Sequence, residues 1–342
     1  MSTPLESTLP ATASHTPITV PKHTDEVLPG RRRVSLSWHH IVLVLVLAAA
    51  AVLNTVHLSQ NGYANTFYSA GVRSMLHSWH NFLFASFDPG GLITIDKPPL
   101  GLWVQVISAK LLGFSALSLL APEAGIGVLA VAAIYWAVAR PFGKTAALAA
   151  AATLAVFPSF VAVSRENGVD PLLLLLMILA CGAALRAIET GGWGWLIGSA
   201  LLVGLAFNTK TLAAWLIVPG IGLAYLVCAP DRLPGRLLKL TAAGAVMLAV
   251  CFSWIAFVEL TPASKRPFIG SSTNNTELGL TFEYNGFGRV QGELGGPGQI
   301  PVGNGALANG PTHHHTTRHR TAVVGAARHS QDTHTKIHAV PP

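Results

Sequence analysis

Asp96-Lys97-Pro98-Pro99 sets an acid and a base side by side on a corner stiffened by two prolines. Each proline fixes φ and removes a backbone donor, so the corner is expected to be rigid and extended. A long apolar stretch opens directly after it with Leu100-Gly101-Leu102-Trp103. If the flanking runs cross a bilayer, the tip lies at the membrane surface, at the depth of a lipid phosphate. The plainer reading is an ordinary loop corner with a snorkelling lysine. Further along, Arg165, Glu166, Asn167 and Asp170 crowd one short turn and Lys210 ends another. Charges at the ends of several spans, all facing one side, suggest a shared polar site. For Asp170, directly before Pro171 and a run of leucines, a helix start explains the acid equally well. A last polar stretch, residues 265–289, mixes Asn274 with the aromatics and amides of Phe282-Glu283-Tyr284-Asn285. That mixture suits a sugar or head group, and it also suits a plain turn-rich loop.

Composition sets the class of elements that must carry these residues. Of 342 residues 51% are hydrophobic and only 11% charged, against about 25% charged in soluble domains. Several runs reach the roughly 20 apolar residues that a bilayer crossing needs. An all-α polytopic membrane protein follows. The net charge of +7 is explained by basic residues flanking the spans, so nucleic acid is not an expected partner. Cys181, Cys228 and Cys251 lie inside apolar runs with no paired spacing, as small buried hydrophobes do.

In chain order, residues 1–36 are rich in Ser, Thr and Pro and end near Arg31-Arg32-Arg33. They read as a disordered cytoplasmic tail. Spans are expected at 38–57, 118–139, 145–163, 171–188, 193–207, 211–229 and 238–259, about seven in all. With the tail inside, the inner connections carry Arg140 and Lys144, then Arg186, then Arg232, Arg236 and Lys239, as the positive-inside rule asks. Residues 58–117 then form a large outer loop. Within it, 65–79 has the spacing of a short amphipathic helix, and 100–116 is short and holds Gln105 and Lys110, so both are expected to lie in the interface. The membrane domain is taken as 37–298. Residues 299–342 are rich in Gly, Thr, His and Arg without apolar periodicity. They read as a disordered tail, and the abrupt change gives the expectation of a truncated or frame-shifted longer chain. His313-His314-His315 fits no defined metal site, and no metal ligands are assigned.

Four short motifs occur in order: Phe67-Tyr68-Ser69-Ala70, Asp96-Lys97-Pro98-Pro99, Asn208-Thr209-Lys210 and Tyr284-Asn285-Gly286, with Ser164-Arg165 through Asp170-Pro171 between them. Over about residues 38–298 the pattern resembles the family 39 glycosyltransferases. That family includes the protein O-mannosyltransferases and the bacterial aminoarabinose transferase of lipid A. The resemblance implies the GT-C fold, a polyprenyl-phosphate sugar as donor and inversion at the anomeric carbon, in the cell membrane, with a divalent cation left open. It implies that Lys97 binds the donor phosphate, that Asp96 orients it, and that Asp170 matches the acid of the second outer loop. Arg165 and Lys210 could add positive charge for the leaving phosphate. Asn65, Tyr68, Glu166, Asn167, Asn274, Tyr284 and Asn285 become candidate substrate contacts. Many members carry Asp-Glu where this chain has Ala64-Asn65. An amide takes no proton at useful pH, so the base must be another acid, Asp88 or Asp170.

The acceptor, whether protein, lipid or cell-wall glycan, is not written in these residues. Two other readings stand beside an outward-facing transferase. One is a transporter of a lipid or small solute, since charges in spans also mark translocation paths; no inverted repeat or broken span pair favours it. The other is an inactive, truncated transferase.

Overall fold

A computed structural model describes residues 38–288. The expected tails, 1–36 and 299–342, lie outside the described residues, as does His313-His314-His315. Among the described residues the chain is helical, with two isolated bridges, Ser86 to Thr94 and Ile93 to Phe268, and no strand.

Helix α1 (Trp38–Thr55) is apolar on nearly every face and exposes Val44 and Leu45, as a helix wetted by lipid does. Its polar exceptions are local: Asn54 is buried and donates to the Ala124 carbonyl. Helix α2 (Thr66–Met75) begins where the Asn65 side chain accepts from the Phe67 and Tyr68 amides, a standard N-cap. Helix α3 (Trp79–Leu83) is capped likewise by Ser78. Helix α4 (Leu100–Leu112) has 13 residues, roughly 20 Å of length. That is too short for a crossing, in line with the expectation for this segment.

Helix α5 (Ala116–Phe142) opens with a Ser115/Ser118 capping box. Helices α6 (Lys144–Val156) and α7 (Pro158–Ser164) meet at a 62° bend. Pro158 has no amide hydrogen with which to continue the ladder, so the expected 145–163 span is broken there. Helix α8 (Asp170–Thr190) starts with Pro171 in its first turn and stops at Gly191 in the left-handed conformation, φ +66°. It packs on α5 through Gly182, where an added methyl would fall 2.2 Å from the Trp136 ring.

Helix α9 (Trp193–Lys210) ends at Thr211, whose φ of +43° is rare for a β-branched residue. A 3-10 segment, Thr211–Ile217, leads into α10 (Val218–Cys228). The chain reverses here: Leu196 and Tyr225 share one core cluster, and the Pro230 ring lies against Gly191. A straight helix over these 36 residues would put its ends about 54 Å apart. Helix α11 (Leu233–Leu260) completes the bundle.

Among the described residues five helical stretches are long and apolar enough to cross a membrane, six when α6 and α7 count as one bent span. The sequence expectation was about seven. The count takes Trp193–Cys228 as one stretch, within which the chain turns back at Thr211 and returns to Gly191, so 211–229 retraces the depth of α9 although α10 itself has only 11 residues, roughly 17 Å. Apolar content alone does not reveal that the first third of this run is a tight 3-10 turn.

Candidate active site

The corner Asp96–Pro99 leads into α4 beneath the polar ends of α8 and α9. Gly101 allows this approach: a methyl there would sit 2.6 Å from Val169, the residue before Asp170. Ile95, Leu102, Val169 and Leu173 belong to the same buried cluster.

Asp96 and Lys97 form a buried ion pair, Nζ to Oδ2 3.0 Å, with side chains 9% and 4% exposed. The ammonium also donates to the Asp96 carbonyl (3.2 Å) and to Asn285 Oδ1 (2.6 Å). Asn285 Nδ2 returns a bond to the Asp96 carbonyl (3.0 Å), and the Tyr284 hydroxyl donates to Asp96 Oδ2 (3.3 Å). The Tyr284 ring lies 5.1 Å from Lys97 Nζ, within cation–π range. A π-helical segment, Leu280–Phe287, presents Tyr284 and Asn285 together, as single π turns at functional sites do. Asp96 Oδ1 is buried without a hydrogen-bond partner, an unmet acceptor inside the cluster.

Half-buried Tyr68 on α2 lies beside this group, close enough to feel the Asp96 carboxylate. Burial, and then the charges of Asp96, Tyr284 and Asp170, push its phenol above the ordinary tyrosine range, so the hydroxyl stays a donor. Asp170, at the start of α8, pairs with Lys210 at the end of α9 through Oδ1 and Nζ. Their side chains are 41% and 32% exposed. The two pairs differ in what separation costs. An exposed pair contributes about 0–1 kcal/mol, whereas removing one partner of a buried pair costs about 3–5 kcal/mol.

The other candidates fall elsewhere. Arg165 donates to the Leu53 and Val56 carbonyls at the end of α1 (2.7 and 2.8 Å), satisfying orphan carbonyls there. Asp88 folds its own turn, accepting from the Leu92 and Ile93 amides (2.9 and 3.0 Å). Asn274 accepts from the Thr276 amide and hydroxyl in a surface turn. Asn65 and Glu166 are exposed and line an open groove of about 600 Å³ with Asn61, Ala64, Ala162 and Arg165.

Asn167 is a buried pin. Its Oδ1 accepts from the Asn65 amide (2.8 Å), and its Nδ2 donates to the Asn65 carbonyl and Ser69 Oγ (3.0 and 2.9 Å). Gln105 Nε2 holds the Asn167 carbonyl (3.0 Å) and the Glu123 carboxylate (3.0 Å), both Gln105 and Glu123 being fully buried. Sequence reasoning missed Glu123, although an acid inside an apolar span is itself a signal. Asn167→Ala leaves the Asn65 amide unpaired, while the Asn65 carbonyl keeps the Ser69 amide, and is expected to cost about 1–3 kcal/mol. A lowered melting temperature in detergent checks this.

Glu277 was also unanticipated. It is buried, its Oε1 lacks a partner, and its amide donates to Glu259 Oε1 (2.6 Å). Burial first, then the Glu259 charge, push its carboxyl from 4.5 to about 8, with Arg266 opposing. Between those values the folded protein holds the extra proton, so stability falls as pH rises through this window. Glu277→Gln should match the wild type near pH 5 and exceed it at pH 8 by on the order of a few kcal/mol. Melting curves at both pH values test the sign. Among the described residues no three His, Cys, Asp or Glu side chains form a metal-ligand group.

Comparison with known proteins bears on the family and the fold. Residues 96–257 match the family model described as dolichyl-phosphate-mannose-protein mannosyltransferase. Two Bacillus subtilis (strain 168) proteins, each named "Putative mannosyltransferase", are similar. YkcB is 43% identical over 259 residues, 76% of this chain and 36% of its own length. YycA is 41% identical over 254 residues, 74% of this chain and 37% of its own. The chain thus spans little more than a third of the curated relatives it matches. The Saccharomyces cerevisiae protein O-mannosyltransferase Pmt1-Pmt2 complex bound to the sugar donor superposes with a TM-score of 0.52 at 16% identity, over 66% of this chain and 34% of that one. ArnT from Cupriavidus metallidurans in the apo state gives 0.51 at 21%, over 65% and 42%. At these identities the two structures speak to the fold. With the helical bundle, the corner at Asp96-Lys97 and the matched family model in one frame, the chain belongs to the GT-C membrane glycosyltransferases of family 39, the family of the protein O-mannosyltransferases and of ArnT.

Proposed function

We propose that this chain carries the donor site and catalytic residues of a transferase that moves a sugar from a polyprenyl-phosphate donor to an acceptor hydroxyl. The carrying observation is the gathering of Asp96, Lys97, Tyr284 and Asn285 with Tyr68, adjoining the Asp170–Lys210 pair. The chemistry needs few parts. Cations stabilise the charge that develops on the leaving lipid phosphate, and a carboxylate removes the acceptor proton, contributing on the order of 10²–10⁴-fold. Lys97 lies at the phosphate, which replaces the neutral Asn285 oxygen among its acceptors. Asp96 keeps the ammonium oriented, and Tyr284 and Asn285 close over the donor. Asn65 and Glu166 line the groove from which the acceptor enters. The N-terminus is cytoplasmic and the site faces outward, a reading supported by the basic inner connections around Arg140, Arg186 and Arg236.

The test is release of free lipid phosphate from a radiolabelled polyprenyl-phosphate sugar in membranes holding the protein. In sealed right-side-out vesicles the product should be open to a phosphatase added outside. No release above control membranes, with an acceptor-rich envelope extract present, would sink the assignment.

A further inference from the structure

We propose that Lys210 exchanges partners during the reaction. The donor phosphate draws it away from Asp170, and the carboxylate so released takes the acceptor proton. This rests on the reading of the site as a donor site for a lipid phosphate.

Two lysines adjoin the site, and they differ in freedom. Lys97 has three acceptors for its three ammonium hydrogens, sits under the Tyr284 ring, and is almost fully buried with Asp96. Among the described residues, Lys210 Nζ bonds Asp170 Oδ1, and both side chains are about a third or more exposed. A pair held by water-screened attraction separates easily, and one held in the interior does not. The flexible four-carbon stem of Lys210, rooted at the last residue of α9, can swing without moving the helix. Asp170 starts α8, and its charge is felt at the Tyr68 phenol together with that of Asp96. The two pairs are neighbours in the fold: a methyl on Gly101, just past the Asp96–Pro99 corner, would meet Val169 and Thr209, the residues before Asp170 and Lys210. A phosphate at Lys97 lies within the field of Lys210, and a phosphate offers stronger acceptors than a single carboxylate oxygen.

The exchange accounts for an otherwise awkward feature. Asp170 is the acid at the expected position, yet an ion pair masks it as a base. Once Lys210 turns to the phosphate, the freed carboxylate accepts the hydrogen of the acceptor hydroxyl. That oxygen bonds to the anomeric carbon as the carbon–oxygen bond to the phosphate breaks, and the bonding electron pair stays on the phosphate. The donor diester carries one negative charge and the released monoester close to two, so the second lysine arrives as the charge grows. Asp170 then loses its proton to water, and Lys210 returns to it, loosening the product. Without donor the base stays masked, so proton removal waits for the sugar.

The test is affinity for an unglycosylated short-chain polyprenyl monophosphate, measured by titration calorimetry on the full chain in detergent. Asp170→Asn removes the competing carboxylate and should bind this probe about 2- to 5-fold more tightly than the wild type. Lys210→Met should bind it more weakly. The double variant should lose the gain entirely, since the gain acts through Lys210. A gain that persists in Lys210→Met would be a general field effect and would overturn the exchange, as would unchanged or weaker binding by Asp170→Asn at a wild-type melting temperature. Should Asp170→Asn melt low, Asp170→Ser in its place must show the same gain. If the wild type itself does not bind the probe, the donor-site reading falls, and the exchange with it.

Discussion

Lys97→Ala should lower sugar transfer by at least 10²-fold, the scale on which a positioned charge acts in a transition state. It should also weaken the protein, because Asp96 would be left charged and buried at a cost of about 3–5 kcal/mol. The two effects are separable. Asp96→Asn with Lys97→Met removes both charges and should restore most of the melting temperature without restoring transfer. Lys97→Arg should be tolerated only in part, since a planar fork does not reproduce a compact ammonium among the Asp96 carbonyl, the Asp96 carboxylate and Asn285. Transfer rates and donor affinity, measured alongside melting curves, decide the matter. Wild-type donor affinity in folded Lys97→Ala would remove this residue from the phosphate site.

Asp170→Asn should lower turnover by more than 10²-fold with no loss of donor binding, the pattern of an interaction made only in the transition state. Asp88→Asn serves as the contrast. The Asp88 carboxylate accepts two backbone amides of its own turn, so its loss should cost about 1 kcal/mol of stability and leave transfer nearly intact. Single-turnover rates with saturating donor measure the chemical step. Full activity in both variants would refute an acid base at either position, and the match of these loops to the family would have to be redrawn.

Several parts of this protein are set by short-range chemistry and were legible from the residues alone. Apolar runs of about 20 residues must become helices in a bilayer, where every backbone group has to be satisfied within its own segment. Pro171 in the first turn of α8 and Gly191 just past its end bound that helix by backbone geometry. The adjacency of Asp96 and Lys97 likewise needed no fold to bring a carboxylate and an ammonium together. The partners of the charges were another matter. Lys97 meets Asn285 across 188 positions, and Lys210 meets Asp170 across 40. Arg165, expected at the phosphate, serves the end of α1 because the orphan carbonyls of Leu53 and Val56 lie within its reach. The reversal at Thr211 and the buried run Glu123–Gln105–Asn167 were invisible for the same reason. Periodicity reports which face of a helix is apolar. Which polar group a buried side chain finds depends on how the helices pack, and the cost of leaving it unpaired makes that tertiary choice decisive.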